Sequence, residues 1–192
     1  MAHTTISRRA MLGGVAALFS AAPRSMARAS EQQLQRLRQG GLLVFMRHAN
    51  APGVGDPPGF RIEDCRTQRN LSEQGRRQAT ALGERLRQEG VRWTSVQSSR
   101  WCRCLDTARL AFGAVEPFDL LNSSFAGRPD ATPELRAHLL ALPRSSDGNR
   151  IYVTHMVNVM ALLNVNTADA EMVLARVENG ALETLGTLRP PA

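Results

Sequence analysis

Leu42-Leu43-Val44-Phe45-Met46-Arg47-His48-Ala49 is the stretch on which the reading of this chain turns. Five consecutive apolar residues are too few for a buried helix and carry no alternation. They fit a strand covered on both faces, as in a parallel sheet. An arginine and a histidine follow at once, so a strand end delivers two chemically able side chains. In open α/β sheets ligands bind beyond the carboxyl ends of the strands, where helix N-termini present their amides.

Outward from this strand the pattern alternates. Upstream, Ser30 is placed to cap a short helix over Glu31 to Gln39, which Gly40-Gly41 ends. Downstream, Ala49 to Gln68 is rich in glycine and proline and reads as a long loop. Ser72 then caps a helix to about Glu89, with Ala79, Leu82 and Leu86 on its core face and Gly90 as its stop. A second strand covers about Ser95 to Gln97, followed by a helix from about Trp101 to Phe112. Pro117 to Leu121 reads as an edge strand, because proline suits an edge or a strand start. Thr132 as cap and Pro133 at the first position open a helix ending near Leu142-Pro143. Arg150 to Thr154 is a fourth strand, and Met156 to Leu163 a helix. Asn179-Gly180 between Met172–Val177 and Leu182–Leu188 signals a hairpin. Strands alternating with helices predict a three-layer α/β/α sandwich with a mostly parallel sheet. There is no internal repeat, and 192 residues suit one domain.

The N-terminus reads as something other than fold. Ser7-Arg8-Arg9 precedes an apolar stretch, Ala10 to Ala22, and Ala27-Arg28-Ala29 is a small-x-small site. Together they resemble a twin-arginine export signal, which divides the chain into a cleavable segment over 1–29 and a domain over 30–192. Cleavage near Ala29 would leave a periplasmic or secreted protein without a stable membrane anchor. The formal charge of +7 includes Arg8, Arg9, Arg24 and Arg28 and falls to +3 from Ser30 onward. All 24 Lys/Arg positions are arginine, and they do not cluster with aromatics, so a nucleic-acid partner is not expected. Mild positive charge suits a small anionic ligand instead. Cys65, Cys102 and Cys104 form no CxxC pair and no zinc spacing, so no metal is expected. Export would put them in an oxidising compartment, where one disulfide is expected. The oligomeric state stays open.

Three predicted strand ends bear reactive groups: Arg47-His48 after the first, Ser98-Ser99 with Arg103 a turn further on after the second, and His155 after the fourth. Four segments resemble the motifs of the histidine phosphatase (phosphoglycerate mutase-like) superfamily. Arg47-His48-Ala49 is similar to its RHG/RHA motif, and Arg69-Asn70-Leu71-Ser72 through Gly75 to Gln78-Ala79 to its (R)xLTxxGxxQA segment. Ser98-Ser99, Arg103-Cys104 and Thr107-Ala108 resemble its SSxxxRCxxTA segment, and Val153-Thr154-His155 its VxH motif. The resemblance spans about Leu42 to Leu188.

It implies a phosphoglycerate mutase-like fold and a phosphatase in which His48 attacks phosphorus, with Arg47, Arg103, Arg69 and His155 binding the phosphoryl group. The chemistry suits these residue types. A histidine nucleophile must be neutral, and surrounding cations (Arg47, Arg103, a protonated His155) disfavour its charged form. The same cations neutralise phosphoryl oxygens, arginine through a planar two-pronged fork. Cations so packed repel a divalent metal, so hydrolysis without a metal or other cofactor is expected. In the superfamily the cysteine after the second arginine, here Cys104, packs in the core, so the resemblance implies a Cys65–Cys102 disulfide.

One departure matters. Many members carry an acid in an LxExxxG-like segment after the third strand, and Leu121 to Gly127 places Ser123 there. A serine is no general acid at neutral pH. Asp64 and Asp56 in the long loop are the candidates for the proton donor, Asp64 preferred. Alternatives stay open: a mutase, a non-catalytic phosphate or phosphosugar binder that has lost its acid, and a phosphatase acting on phosphohistidine or another phosphoprotein.

Overall fold

The six strands of the computed structural model form one sheet in the order β3-β2-β4-β1-β5-β6. It describes residues 22–143 and 147–191. The strands are β1 (Leu43–Arg47), β2 (Trp93–Ser98), β3 (Glu116–Pro117), β4 (Asn149–Thr154), β5 (Met172–Glu178) and β6 (Ala181–Leu188). Pairing is parallel from β3 through β2 and β4 to β1, and antiparallel from β1 through β5 to β6. The helices are α1 (Ala22–Gln39), α2 (Glu73–Gln88), α3 (Cys102–Phe112), α4 (Thr132–Ala141) and α5 (Met156–Leu163).

Side-chain alternation on the central strands builds two cores. Val44 and Met46 of β1, Ile151 and Val153 of β4, and Met172 and Leu174 of β5 pack with Leu34, Leu37, Ala79, Leu82, Leu86 and Cys104 of α1 to α3. Leu43, Phe45, Tyr152, Val173 and Ala175 face the other way, onto Leu135 and Leu139 of α4 and Val159 and Leu162 of α5. This is the expected three-layer sandwich. The continuous apolar run at 42–46 is explained by burial on both faces.

The local signals hold at most element ends. The Ser72 hydroxyl accepts from Gly75 N at 3.0 Å at the start of α2, and Gly90 takes φ +70° just beyond its end. Asn179 and Gly180 both have positive φ, as a type I′ hairpin turn requires. Four expectations need correction. Helix α1 begins at Ala22 instead of Glu31, because Met26-Ala27-Arg28-Ala29 contains no breaker, and Ser30 lies inside the helix. Residues 1–21 of the expected export signal lie outside the described residues. Strand β2 starts earlier than Ser95, at Trp93, with a register shift between Trp93 and Ser95. The strand expected over 117–121 is two residues long: Phe118 N bonds Ser98 O at 2.7 Å, and a 3-10 turn, Asp119–Leu121, sends Leu121 into the core. Helix α4 starts at Thr132, behind Ala131 as a cap without a side-chain bond, so Thr132 is helical, Pro133 is its second residue, and Asp130 Oδ1 accepts from Thr132 N at 3.0 Å just ahead of it.

Candidate active site

Parallel pairing of β1 with β4 brings the two histidines together. Arg47 stands in register with Thr154, and His48 N donates to Thr154 O at 3.0 Å, so the residues after each strand lie side by side. The rings of His48 and His155 meet edge to face, with centroids 5.6 Å apart. Ser99 N donates to Val153 O at 2.9 Å, bringing the end of β2 and the first turn of α3, with Arg103, to the same rim. Two arginines and two histidines far apart in sequence thus converge on an open cavity of about 310 Å³.

His48 is 3% exposed, and its Nδ1 lies 2.8 Å from Ala49 O. A carbonyl only accepts, so Nδ1 carries the hydrogen and Nε2 of the neutral ring keeps its lone pair. Burial, reinforced by Arg103, Arg69 and Arg47 and opposed by the bond to Ala49, lowers the His48 pKa to about 3. His155 is held well below its ordinary value too, first by burial and then by His48 and the same arginines. The expectation of a protonated His155 is therefore corrected: the unliganded site holds it neutral. Its Nδ1 accepts from Arg103 Nη2 at 3.5 Å, which leaves Nε2–H to donate to Ser99 Oγ at 2.9 Å.

The cations are fixed by the scaffold. Arg103, 3% exposed, donates from Nη1 to Asp56 at 2.8 Å. Arg69 donates to the carbonyls of Gly55, at 2.8 Å, and Ala51, stitching the long loop down. Arg47 binds Thr167 O and the Asp169 carboxylate, each at 3.0 Å. Burial and the neighbouring Arg103 pull the Arg69 guanidinium below its ordinary value. Such crowding of positive charge is relieved by an anion. The Nε atoms of Arg47 and Arg103 are buried without a partner among the described residues.

The acid candidates divide sharply. Asp64 does not line the cavity. Its carboxylate binds Arg61 and Arg66, caps the 3-10 turn Cys65–Thr67, and is held well below the usual carboxylate range by the side chains of Arg66 and Arg61. The preference for Asp64 as proton donor is thereby corrected, since short-range ion pairing and capping use it up. Asp56 does line the cavity, but it accepts from Arg103 Nη1, Trp101 Nε1 at 2.9 Å and Arg69 N at 3.0 Å. Burial alone would raise its pKa; these three donors outweigh it and keep the carboxyl ionised. Ser123 reaches the cavity wall, 6% exposed, where the superfamily's acid was expected.

Cys65 and Cys102 are joined in a disulfide, which ties the long loop to the start of α3, and Gln68 Oε1 reinforces it by accepting from Cys102 N at 2.9 Å. Cys104 is a buried free thiol whose pKa burial pushes up to about 12. Among the described residues no group of three or more His, Cys, Asp or Glu could hold a metal ion, and no helix is long and apolar enough to cross a membrane.

Sequence reasoning missed the outer wall of the cavity. Trp101, Phe60, Phe125 and Arg128 line it, with the Arg128 guanidinium 4.5 Å from the Phe60 ring centre and 5.3 Å from that of Trp101. Of these, only Trp101, beside the Ser98-Ser99 segment, carried a positional signal.

Residues 43–121, from β1 through the turn after β3, match the family model for the histidine phosphatase superfamily, branch 1. No curated protein sequence matches the chain. Solved structures share the fold. The protein histidine phosphatase SixA complexed with tungstate aligns with a TM-score of 0.59 at 14% identity, over 78% of this chain and 97% of that one. Bacillus stearothermophilus YhfR gives 0.57 at 18%, over 75% and 95%. Phosphoserine phosphatase from Entamoeba histolytica, in complex with 3-phosphoglyceric acid, gives 0.55 at 12%, over 77% and 96%. Residues 43–121 therefore carry the sequence pattern of the histidine phosphatase superfamily.

Proposed function

We propose that the chain is a metal-independent phosphomonoesterase that hydrolyses a small phosphorylated substrate through a phosphohistidine on its own His48. The observation that carries this is the fixed tautomer of a buried neutral histidine: Nδ1 is committed to Ala49 O, and the Nε2 lone pair lies among Arg47, Arg69 and Arg103. Nε2 attacks phosphorus while the guanidiniums take up charge on the equatorial oxygens. His155 stays neutral, held so first by burial, and keeps its N–H on Ser99 Oγ beside the bound phosphoryl group. Water then cleaves the phosphohistidine. Preorganised cations make this step possible without a Lewis acid.

The disulfide between Cys65 and Cys102 supports work in an oxidising compartment, and with it export through an N-terminal signal of twin-arginine type. A second reading, a phosphate binder that no longer turns over, is favoured by Ser123 in the acid's place and by the locked Asp56. Hydrolysis of p-nitrophenyl phosphate, with and without EDTA and beside His48→Ala, decides between them. EDTA-insensitive turnover lost in His48→Ala is expected; no turnover by the wild type over a wide pH range selects the binder.

A further inference from the structure

The site combines a complete phosphoryl-binding floor with no proton donor for a leaving group. Asp56 is the only carboxyl lining the cavity among the described residues, and it is held ionised by accepting from Arg103, Trp101 and Arg69 N. His155 directs its one N–H to Ser99. A general acid contributes about 10²–10⁴-fold to rate, and an alkyl ester forgoes that factor here, because an alkoxide is about as basic as hydroxide. A phenolate, whose conjugate acid has a pKa of about 10, leaves unaided.

The outer cavity points the same way independently. Its wall is built from Val54, Phe60, Trp101, Phe125, Met156 and Arg128. Among the described residues the exposed large hydrophobics are Val54, Phe125, Met156 and Met160, and the first three border this one opening. Apolar side chains gathered on a mouth and exposed there mark a binding surface. A sugar or hydroxy acid would need hydroxyl partners, and in this wall the side chains offer only Ser123 and Arg128. The Arg128 guanidinium already stands over two rings and could take a third, and no carboxylate pairs with it among the described residues.

Resting on the phosphatase reading, we propose that the enzyme's substrates are aryl phosphates, whose phenolic leaving group seats between Phe125 and the guanidinium of Arg128 and departs without an acid. The His48 Nε2 lone pair forms the N–P bond as the P–O(aryl) bond breaks. Its electron pair leaves on the phenolate, which takes a proton from solvent. Water then attacks phosphorus, the N–P pair returns to Nε2, and the water's proton goes to solvent with inorganic phosphate released.

The test compares kcat/KM for a series of substituted phenyl phosphates, glycerol 2-phosphate and N-phosphohistidine, using the full mature chain with its disulfide intact. Phenyl phosphate is expected to exceed glycerol 2-phosphate by about 10²-fold or more, with a steep dependence on phenol pKa across the series. Phe125→Ala and Arg128→Ala, both at the mouth, are expected to reduce that ratio by about tenfold. Equal turnover of aryl and alkyl esters, a flat dependence on phenol pKa, or preference for N-phosphohistidine overturns the proposal while leaving the phosphatase standing. No turnover and no phosphoenzyme with any ester fails the phosphatase reading itself.

Discussion

Replacing His48 by asparagine removes a titrating group from a buried site while keeping a donor for Ala49 O, and the effect on acid stability follows from the structure. The His48 pKa is 6.5 in an open chain and about 3 in the fold, with burial the largest cause. Between those values the unfolded chain binds a proton that the native state refuses. Stability from this residue is therefore complete above about pH 6.5 and is lost as pH falls towards 3. At pH about 4 the loss is some 2.5 pH units at 1.36 kcal/mol each, about 3 kcal/mol. His155 acts in the same direction, and because His48 is one of the causes that lower its pKa, its own contribution shrinks in the variant and adds to the difference. Asp56 and Asp64 are present in both proteins and cancel in the comparison, and their lowered pKa values hold their contributions until more acid conditions.

Urea unfolding of wild type and His48→Asn at a series of pH values between about 7 and 4 measures this directly. Only the slopes matter, since the substitution also shifts stability by a pH-independent amount. The wild type is expected to lose at least about 3 kcal/mol more than the variant on acidification. Parallel curves would refute the reasoning, because they would mean that His48 protonates in the native state as readily as in the unfolded one. A nucleophile of ordinary pKa would then have to be found neutral by pH alone and not by the site.

Three further outcomes follow from single contacts. Arg103→Ala leaves Asp56, at 7% side-chain exposure, without its ion pair, and a thermal melt should show a destabilisation of about 3–5 kcal/mol together with loss of phosphatase activity. Replacing Cys65 and Cys102 together by serine opens a closure of 37 residues; chemical denaturation should report about 4 kcal/mol less stability, and KM should rise because the loop carrying Asp56 is released. Gly75→Ala would set a Cβ 2.1 Å from Asn50 O, in the backbone directly after His48-Ala49; a cost of about 3 kcal/mol and reduced kcat are expected, whereas Arg77→Ala on the exposed face of the same helix should change neither.

Legibility differed between the floor of the site and its wall. The floor was readable because each of its residues follows a buried strand or opens a helix, and those elements announce themselves by apolar runs and caps: His48 after 42–46, Arg103 in the first turn of α3, His155 after β4. Even the purpose of the glycine in the second motif becomes visible, since α2 approaches the loop after His48 too closely at Gly75 for any side chain. The long loop was not readable in this way. Asp56 and Asp64 look alike in sequence, eight positions apart in one Gly/Pro-rich segment. What separates them is tertiary: one is folded under Trp101 and Arg103, the other is claimed by Arg61 and Arg66 within its own turn. Periodicity could not find Arg128 or Phe125 either, because they stand in an irregular stretch whose position is set by the rings it meets.

The same electrostatics accounts for both the nucleophile and the missing acid. A site that holds two histidines neutral by burial and three nearby guanidiniums will also hold ionised any carboxylate those guanidiniums can reach. Asp56 shows this, since the bonds it accepts from Arg103, Trp101 and Arg69 N are the ones that keep its carboxyl from carrying a proton. A proton-donating carboxyl would have to line the cavity out of reach of those arginines, and where the superfamily resemblance expects one the cavity is lined by Ser123. On the proposed function, a serine there leaves phosphoryl transfer to His48 in place and moves the burden of departure onto the substrate, so that the outer wall, more than the motif residues, would set what is cleaved.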